Sequence, residues 1–415
     1  MTAGASTPLG IDLEAVEAVR PAVGRLALRT PLQDCHVLSE LTGSHVLLKA
    51  ENLQRTGSFK IRGAAAKVAA LGAGASPGVV VASAGNHAQA VAFAARAAGV
   101  PCEVYMPAEA SISKADATIE YGASVHLEGD SLDDCVLLAE ARARATGLHF
   151  VHPFDDPAIV AGQGTLGLEL VEDVDDLAMV VVPLGGGGLV SGVGCVIDAL
   201  SPKVKVVAVQ AAVCAPYLAA RDADGVTATM GSTTLADGIA VKRPSGMTLG
   251  MVERHVDDIV AVGENEIADA IVMMLMRSKL VVEGAGAVGV AALSEGLIAP
   301  PASGTTVVVL SGGNIDTGLL APVIRRQETN AGRRVVLLAR ITDRPGSLAR
   351  LLTCISESGA NLLTVEHLRE GYELQVRETG VHIVLETRNR EHAKAVLDAA
   401  RAAGFDVRPV GSSVA

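Results

Sequence analysis

The strongest constraint on this chain is a rhythm. Short Val-rich runs alternate with Ala-rich stretches of helical length: Val79–Ala82 then Gln89–Ala98, Glu103–Met106 then Ser113–Tyr121, Ser124–Leu127 then Leu132–Ala145. Strand followed by helix, repeated, predicts a parallel sheet whose crossovers cover both faces. The alternation continues through Met179–Val182, Leu189–Ala199, Val204–Gln210, Asp257–Val262, Glu264–Ser278, Ala285–Leu293 and Thr306–Leu310. Aromatic residues make up only 2% of the 415 and Trp is absent, so the interior must be built from Ala, Val, Leu and Ile, which suits layered α/β packing. A chain of this length is expected to hold more than one core.

Near Arg325–Arg334 (RRQETNAGRR) the composition turns polar and charged, which predicts an exposed linker over 327–334. Beyond it the order is different. Val335–Ile341 reads as a strand, Ser347–Ser358 as a helix, Asn361–Arg369 and His382–Thr387 as strands, Glu391–Ala403 as a helix and Phe405–Val410 as a last strand. That βαββαβ order is ferredoxin-like. The chain is therefore read as a large domain over 1–326, with a smaller subdomain at roughly 50–150 inside it, and a second domain over 335–415.

Several function classes are excluded on charge and composition. A formal charge of −12, from 46 acidic against 34 basic residues, argues against nucleic-acid binding, which needs a basic surface. Cys35, Cys102, Cys135, Cys195, Cys214 and Cys354 form no CxxC pair and no cluster with His at metal-ligand spacing, so they read as reduced thiols of a cytoplasmic protein with no metal site. The first ten residues, MTAGASTPLG, lack the basic start and apolar stretch of a secretory signal. Val68–Ala95 and Leu177–Ile197 are nearly uncharged, but internal Gly and Pro, and His87 in the first, argue against membrane spans.

Four short motifs carry chemistry. Ser58-Phe59-Lys60-Ile61-Arg62-Gly63-Ala64 sets a lysine at a helix start just after a Thr56-Gly57 turn; alone, such a lysine is usually a solvated surface group. Ser83-Ala84-Gly85-Asn86-His87-Ala88-Gln89 lies between a strand and a helix, where free backbone N–H groups and the positive dipole end suit an anion such as a carboxylate; the plain alternative is a helix cap. Pro183-Leu184-Gly185-Gly186-Gly187-Gly188-Leu189 again joins a strand to a helix, and its glycines let backbone N–H groups approach a phosphate. It has neither the Gly-Lys-Ser/Thr ending of a P-loop nor a dinucleotide fingerprint. Ser311-Gly312-Gly313-Asn314 follows the strand Thr306–Leu310 and places a neutral hydroxyl at its end.

Together and in this order, SFKIRGA, SAGNHAQ, GGGGL and SGGN resemble the threonine ammonia-lyases (threonine dehydratases), in the type-II, tryptophan synthase beta-like fold of pyridoxal-phosphate enzymes. Glu51–Gln54, His152–Asp155, Gly162–Thr165, Ala236–Val241 and Glu283–Gly286 extend the resemblance, which covers about Val19–Arg326. Val335–Val410 resembles an ACT domain, with Asp343-Arg344-Pro345-Gly346 and Asn361 at the usual places.

The resemblance implies pyridoxal 5′-phosphate as cofactor and Lys60 as its Schiff-base lysine, with Phe59 beside the ring. It implies Asn86 near the 3′-oxygen, Gly185, Gly186, Gly187, Gly188 and Leu189 around the phosphate, and Ser311 at the pyridine nitrogen. Ser83, Ala84, Gly85, Asn86 and His87 would border the substrate carboxylate, with Ser83 beside Lys60 among the catalytic groups. The activity implied is β-elimination of L-threonine to 2-oxobutanoate and ammonia, with L-serine to pyruvate as a second reaction. A branched-chain amino acid is the implied effector, at Asp343, Gly346 and Asn361, in a homo-oligomer, dimer or tetramer. Where related serine racemases open a divalent-metal site with an acidic residue, this chain has Gln210 followed by uncharged Ala211 to Pro216, which puts that metal in doubt. Two other readings stand beside this one: a serine dehydratase or racemase of the same fold, and a non-catalytic amino-acid sensor built on the ACT domain.

Overall fold

The computed structural model describes residues 10–222, 233–369 and 374–410, so residues 1–9, read above for a secretory signal, lie outside the described residues. Its chain divides into two units, Met1–Ile315 and Asp316–Ala415. Helix α1 (Leu13–Leu26) is capped by the Asp12 carboxylate, and strand β1 (Leu32–Asp34), helix α2 (His36–Thr42) and strand β2 (His45–Lys49) follow. Helix α3 (Lys60–Leu71) leads to β3 (Val79–Ala82), α4 (Asn86–Ala98), β4 (Cys102–Met106), α5 (Ile112–Glu120), β5 (Ser124–Leu127), α6 (Leu132–Thr146) and β6 (His149–Phe150). These four strands form one parallel sheet in the order β5-β4-β3-β6.

The chain then returns through α7 (Pro157–Asp173), capped by Asp156 with Pro157 at its first position, as helix starts favour. Strand β7 (Leu177–Pro183), α8 (Gly188–Leu200), β8 (Lys205–Ala211), α9 (Pro216–Asp222), α10 (Gly246–His255), β9 (Asp258–Val262), α11 (Glu264–Met273), α12 (Gly284–Ser294) and β10 (Thr305–Val309) complete the first unit. Its larger sheet has the order β1-β2-β10-β7-β8-β9, with only the edge strand β1 antiparallel. All five residues of β10 are buried, and so are ten residues of α8 and ten of α12. A strand buried on both faces needs an unbroken apolar run, and TTVVV and VVVA supply it with β-branched side chains.

One polar knot interrupts this aliphatic interior. Arg62, on α3, is 1% exposed, and its guanidinium meets Glu51 Oε1 at 2.8 Å and Oε2 at 2.9 Å, and Glu169 Oε1 at 2.7 Å and Oε2 at 3.0 Å. Lys49, fully buried at the end of β2, donates to Glu169 at 2.6 Å and to the Thr30 carbonyl at 2.8 Å. Two cations thus face two carboxylates, with Thr30 also donating to Glu51. Burial alone would raise the Glu51 carboxyl, but Arg62 outweighs it and holds the pKa below the ordinary value.

The second unit opens with α13 (Thr317–Asn330), which Asp316 caps. The linker expected at 327–334 is therefore the end of a helix and one turn, and β11 (Arg334–Thr342) begins at once. Its polar composition reflects a half-buried helix, in which only Val323 is fully buried, and the division falls at Ile315/Asp316. Helix α14 (Ser347–Glu357), β12 (Asn361–Leu368), β13 (Glu378–Glu386), α15 (Arg390–Ala402) and β14 (Asp406–Pro409) follow. The antiparallel sheet runs β12-β13-β11-β14. Strand β13 starts four residues before the expected His382, because Glu378 to Val381 pair with Thr342 to Ala339 despite Gly380. Among the described residues, no helix is long and apolar enough to cross a membrane.

Removing one partner from a buried ionic cluster leaves the others uncompensated. Arg62→Met is expected to destabilise the first unit by about 3–5 kcal/mol, read as a lower urea midpoint. The exposed Arg144, paired with Glu140 at 3.5 Å, is the control: Arg144→Met leaves the midpoint in place.

Candidate active site

Three of the four motifs sit at the carboxyl ends of parallel strands. The glycine turn leaves β7 and opens α8; Ser311 follows β10, the neighbour of β7; Ser83 to Gly85 leave β3 and open α4. Loops and helix N-termini converge at such ends, which is where α/β sheets bind ligands. Lys60 enters as the first residue of α3. Its approach is fixed by backbone: Phe59 N–H donates to Ser311 O at 3.0 Å, Gly313 N–H to Gly57 O at 2.9 Å, and Ser58 bridges Gly312 antiparallel. The lysine turn and the serine turn thus behave as one piece.

One pocket is lined by Phe59, Lys60, Ser83 to His87, Gly185 to Leu189 and Ser311, which brings together every residue expected around cofactor and substrate. The three expected effector residues are not brought together. Asp343 follows β11 and pairs with Arg369 at 3.3 Å, and Gly346 caps α14, whereas Asn361 opens β12 opposite Glu386, which pairs with Arg334 at the start of β11. The eight register steps from Arg334 to Thr342 separate them by about 25 Å within one chain.

Lys60 Nζ donates to the Pro153 carbonyl at 3.0 Å and lies 5.1 Å from the centre of the Phe59 ring. Burial lowers its pKa from 10.5 to about 8, with Glu283 opposing the shift. His87 Nε2 lies 2.9 Å from Val151 O, and burial and Lys60 push the ring pKa down to about 3. A neutral ring facing a carbonyl must be the donor, so His87 ties α4 to the 151–154 segment and brings no positive charge to a carboxylate. Ser83 Oγ accepts from Gly85 N–H at 3.2 Å. Asn86 donates to Glu283 Oε1 at 2.8 Å and accepts from Asn314 at 2.7 Å.

Glu283, the first residue of the Glu283–Gly286 stretch that extends the resemblance, is a further residue of the site, with no role implied for it by the motifs. It is 5% exposed, stands at the N-cap position of α12 and lines the pocket, where burial and then Asp237 raise its pKa from 4.5 to about 7. The available signal is a lone acid directly before the uncharged run GAGAVGVAALS. Asn314, the last residue of its motif, also acquires a role, because its amide donates to Thr56 O at 2.8 Å as well as to Asn86. At the mouth, Lys114 of α5 pairs with Asp237 at 2.8 Å across the cleft. Gln210 is fully buried, donating to Leu184 O at 3.3 Å and accepting from Leu218 N–H at 3.0 Å.

Comparison with known proteins agrees with this geometry. Residues 24–312 match the model of the family described as "Pyridoxal-phosphate dependent enzyme". The chain belongs to that family. Its cofactor is pyridoxal 5′-phosphate. The chain is 44% identical to an L-threonine ammonia-lyase of Thermotoga maritima over 403 residues, 97% of this chain and 100% of that one. It is 44% identical over 378 residues to an L-threonine ammonia-lyase of Geobacter sulfurreducens, 91% of this chain and 94% of that one. Among solved structures it is similar to a threonine deaminase of T.th., with a TM-score of 0.70 and 36% identity over 74% of this chain and 99% of that one. It is also similar to maize serine racemase, with a TM-score of 0.73 and 29% identity over 77% and 98%.

The pocket of this pyridoxal-phosphate dependent enzyme fits the group on its own terms. Among the described residues, no protein acceptor meets the N–H groups of Gly185, Gly186, Gly187, Gly188 or Leu189, which is the donor set a phosphate requires. A Cβ on Gly186 would fall into the Phe154 ring, and Gly187 has φ +89°, so the turn cannot carry side chains there. Lys60 stands in the same pocket with an amine that burial has brought near neutrality. Below its pKa the amine is protonated and cannot bond an aldehyde; above it the free base can. The rate at which apo-protein takes up pyridoxal phosphate is therefore expected to rise with pH and level off just above about 8, where a solvated lysine would keep rising to 10.5. Stopped-flow absorbance across pH 6 to 11 reads this.

Proposed function

We propose that the chain is a threonine ammonia-lyase, converting L-threonine to 2-oxobutanoate and ammonium, and L-serine to pyruvate more slowly. The observation that carries this reading is a lysine held near neutrality in the same pocket as the unpaired N–H groups of the glycine turn. The relatives named above, 44% identical along most of their length, support the choice of threonine. Similarity to a serine racemase supports serine as the second substrate, since one methyl group separates the two and pockets discriminate it only modestly.

When bound, pyridoxal phosphate supplies an aldehyde that bonds the substrate amine and an electron-poor ring that acidifies its Cα–H. The Gly185–Leu189 turn would hold the phosphate, Phe59 would pack beside the ring and Ser311, a neutral group, would meet the ring nitrogen. The first turn of α4 and Ala84 would offer backbone N–H groups to the substrate carboxylate, Ser83 and Gly85 would border it with their own N–H groups engaged by Tyr105 O and Ser83 Oγ, and His87 would contribute position rather than charge. The Lys60 amine would take the Cα proton; the Pro153 carbonyl, which accepts from it at 3.0 Å, orients it. Asn86, whose amide is fixed on both sides by Glu283 and Asn314, would stand near the 3′-oxygen. Water leaves from Cβ, and the released enamine takes up water to give the oxo acid and ammonium.

The second unit is read as an ACT regulatory domain that binds isoleucine or valine, supported by its βαββαβ order and sheet order β12-β13-β11-β14. Because Asp343 and Asn361 lie at opposite ends of one sheet, an effector site using both is built from two copies, which fits a homo-oligomer, a dimer or tetramer. The absence of a disulfide among the described residues suits a reducing, cytoplasmic setting.

Lys60→Ala is expected to abolish 2-oxobutanoate production while leaving the fold intact; undiminished production sinks the reading. Isoleucine or valine is expected to change threonine turnover in the full chain, and Asn361→Ala to blunt that response without altering turnover in its absence. No binding of either amino acid by calorimetry would remove the regulatory part.

A further inference from the structure

Aromatic side chains are scarce in this chain, with four Tyr, five Phe and no Trp in 415 residues, yet two of them flank the same turn. Phe154 packs against Gly186 and Gly188 on one side, and Tyr217 reaches Gly187 on the other. Tyr217 is 1% exposed. Its hydroxyl donates to the Gly186 carbonyl at 2.8 Å and stands 2.7 Å from Thr248 Oγ1, which can donate to it in turn. Thr248 is itself 2.8 Å from Ser245 Oγ, and Ser245 donates to Asp155 at 2.8 Å. A buried phenol without partners would be costly, and this one is placed on a carbonyl of the glycine turn.

The consequence is geometric. In a trans peptide the C=O and N–H bonds point in opposite directions, so a carbonyl held from behind fixes where the next N–H points. Gly187 has φ +89° and no side chain, so nothing local prevents the Gly186–Gly187 peptide from turning over. The Tyr217 hydroxyl supplies that restraint from outside. Its own position is set by Gln210, which accepts from Leu218 N–H beside it and donates to Leu184 O at the start of the same turn. Burial also raises the phenol pKa, so the group stays a donor throughout the working pH range.

We propose that Tyr217 is a positioning residue for the cofactor phosphate: by holding the Gly186 carbonyl it keeps the Gly187 N–H aimed into the pocket. This rests on the reading that the phosphate sits on the glycine turn, and the test separates the two ideas. Apo-protein, full chain, is titrated with pyridoxal 5′-phosphate and, separately, with pyridoxal, which lacks the phosphate, following chromophore absorbance. The wild type is expected to bind the phosphorylated form far more tightly. Tyr217→Phe, which keeps the ring and its burial, is expected to weaken pyridoxal phosphate about tenfold and leave pyridoxal unchanged, with a changed ³¹P shift in the loaded variant; Thr248→Val is expected to give a smaller loss in the same direction. If Tyr217→Phe weakens both ligands equally, or neither, Tyr217 is only core packing and the inference is overturned. A wild type that binds the two forms equally well would instead remove the phosphate seat beneath it.

Discussion

The pairing of Arg62 with Glu51 and Glu169 is the interaction on which the geometry of the first unit depends. It joins the segment after β2, helix α3 and helix α7 through one guanidinium, and Lys49 closes the cluster to a neutral set of two cations and two anions. Apolar packing alone is tolerant of small sliding, because Ala and Val surfaces have little shape to register. Directional bonds to a planar guanidinium are not. Lys60 stands two residues before Arg62 on the same helix, so fixing the guanidinium fixes the height and rotation at which the amine enters the pocket. The backbone bridge from Ser58 to Gly312 then sets its distance from Ser311.

Burial organises the electrostatics of the pocket. It brings Lys60 down to about 8, Glu283 up to about 7 and His87 down to about 3, so each of these groups moves toward its uncharged form near neutral pH. What remains unpaired is a set of backbone dipoles at the starts of α4 and α8. A pocket that withholds mobile charge and offers fixed positive dipoles suits a ligand carrying its own negative charges, here a phosphate at one end and a carboxylate at the other. It also leaves the Lys60 amine and the Glu283 carboxyl as groups able to exchange a proton near neutral pH.

Much of this is legible in the sequence, for reasons that differ by element. The strand-helix alternation and the four motifs can be read because β-branched runs, glycine turns and helix starts leave local signatures, and the pocket indeed gathers Lys60, Asn86, Gly185 and Ser311. Helix α13 escapes such a reading because a half-buried helix rich in Arg, Gln and Thr has the composition of a linker. The start of β13 escapes it because pairing with β11, not local propensity, keeps Glu378 to Gly380 extended. Gln210 and Tyr217 carry no local mark of their roles, and Glu283 only its place before an uncharged run; each acts through a partner at least eight residues away in the chain.

The scarcity of aromatic rings in the chain has an optical side. With no indole anywhere in the chain, ultraviolet emission comes from phenols alone, and Tyr217 is one of only four. It touches the carbonyl of Gly186, behind the surface that faces the cofactor. The protein therefore carries a native fluorophore on the glycine turn, and a strongly absorbing coenzyme bound there as proposed would quench a signal that no indole obscures.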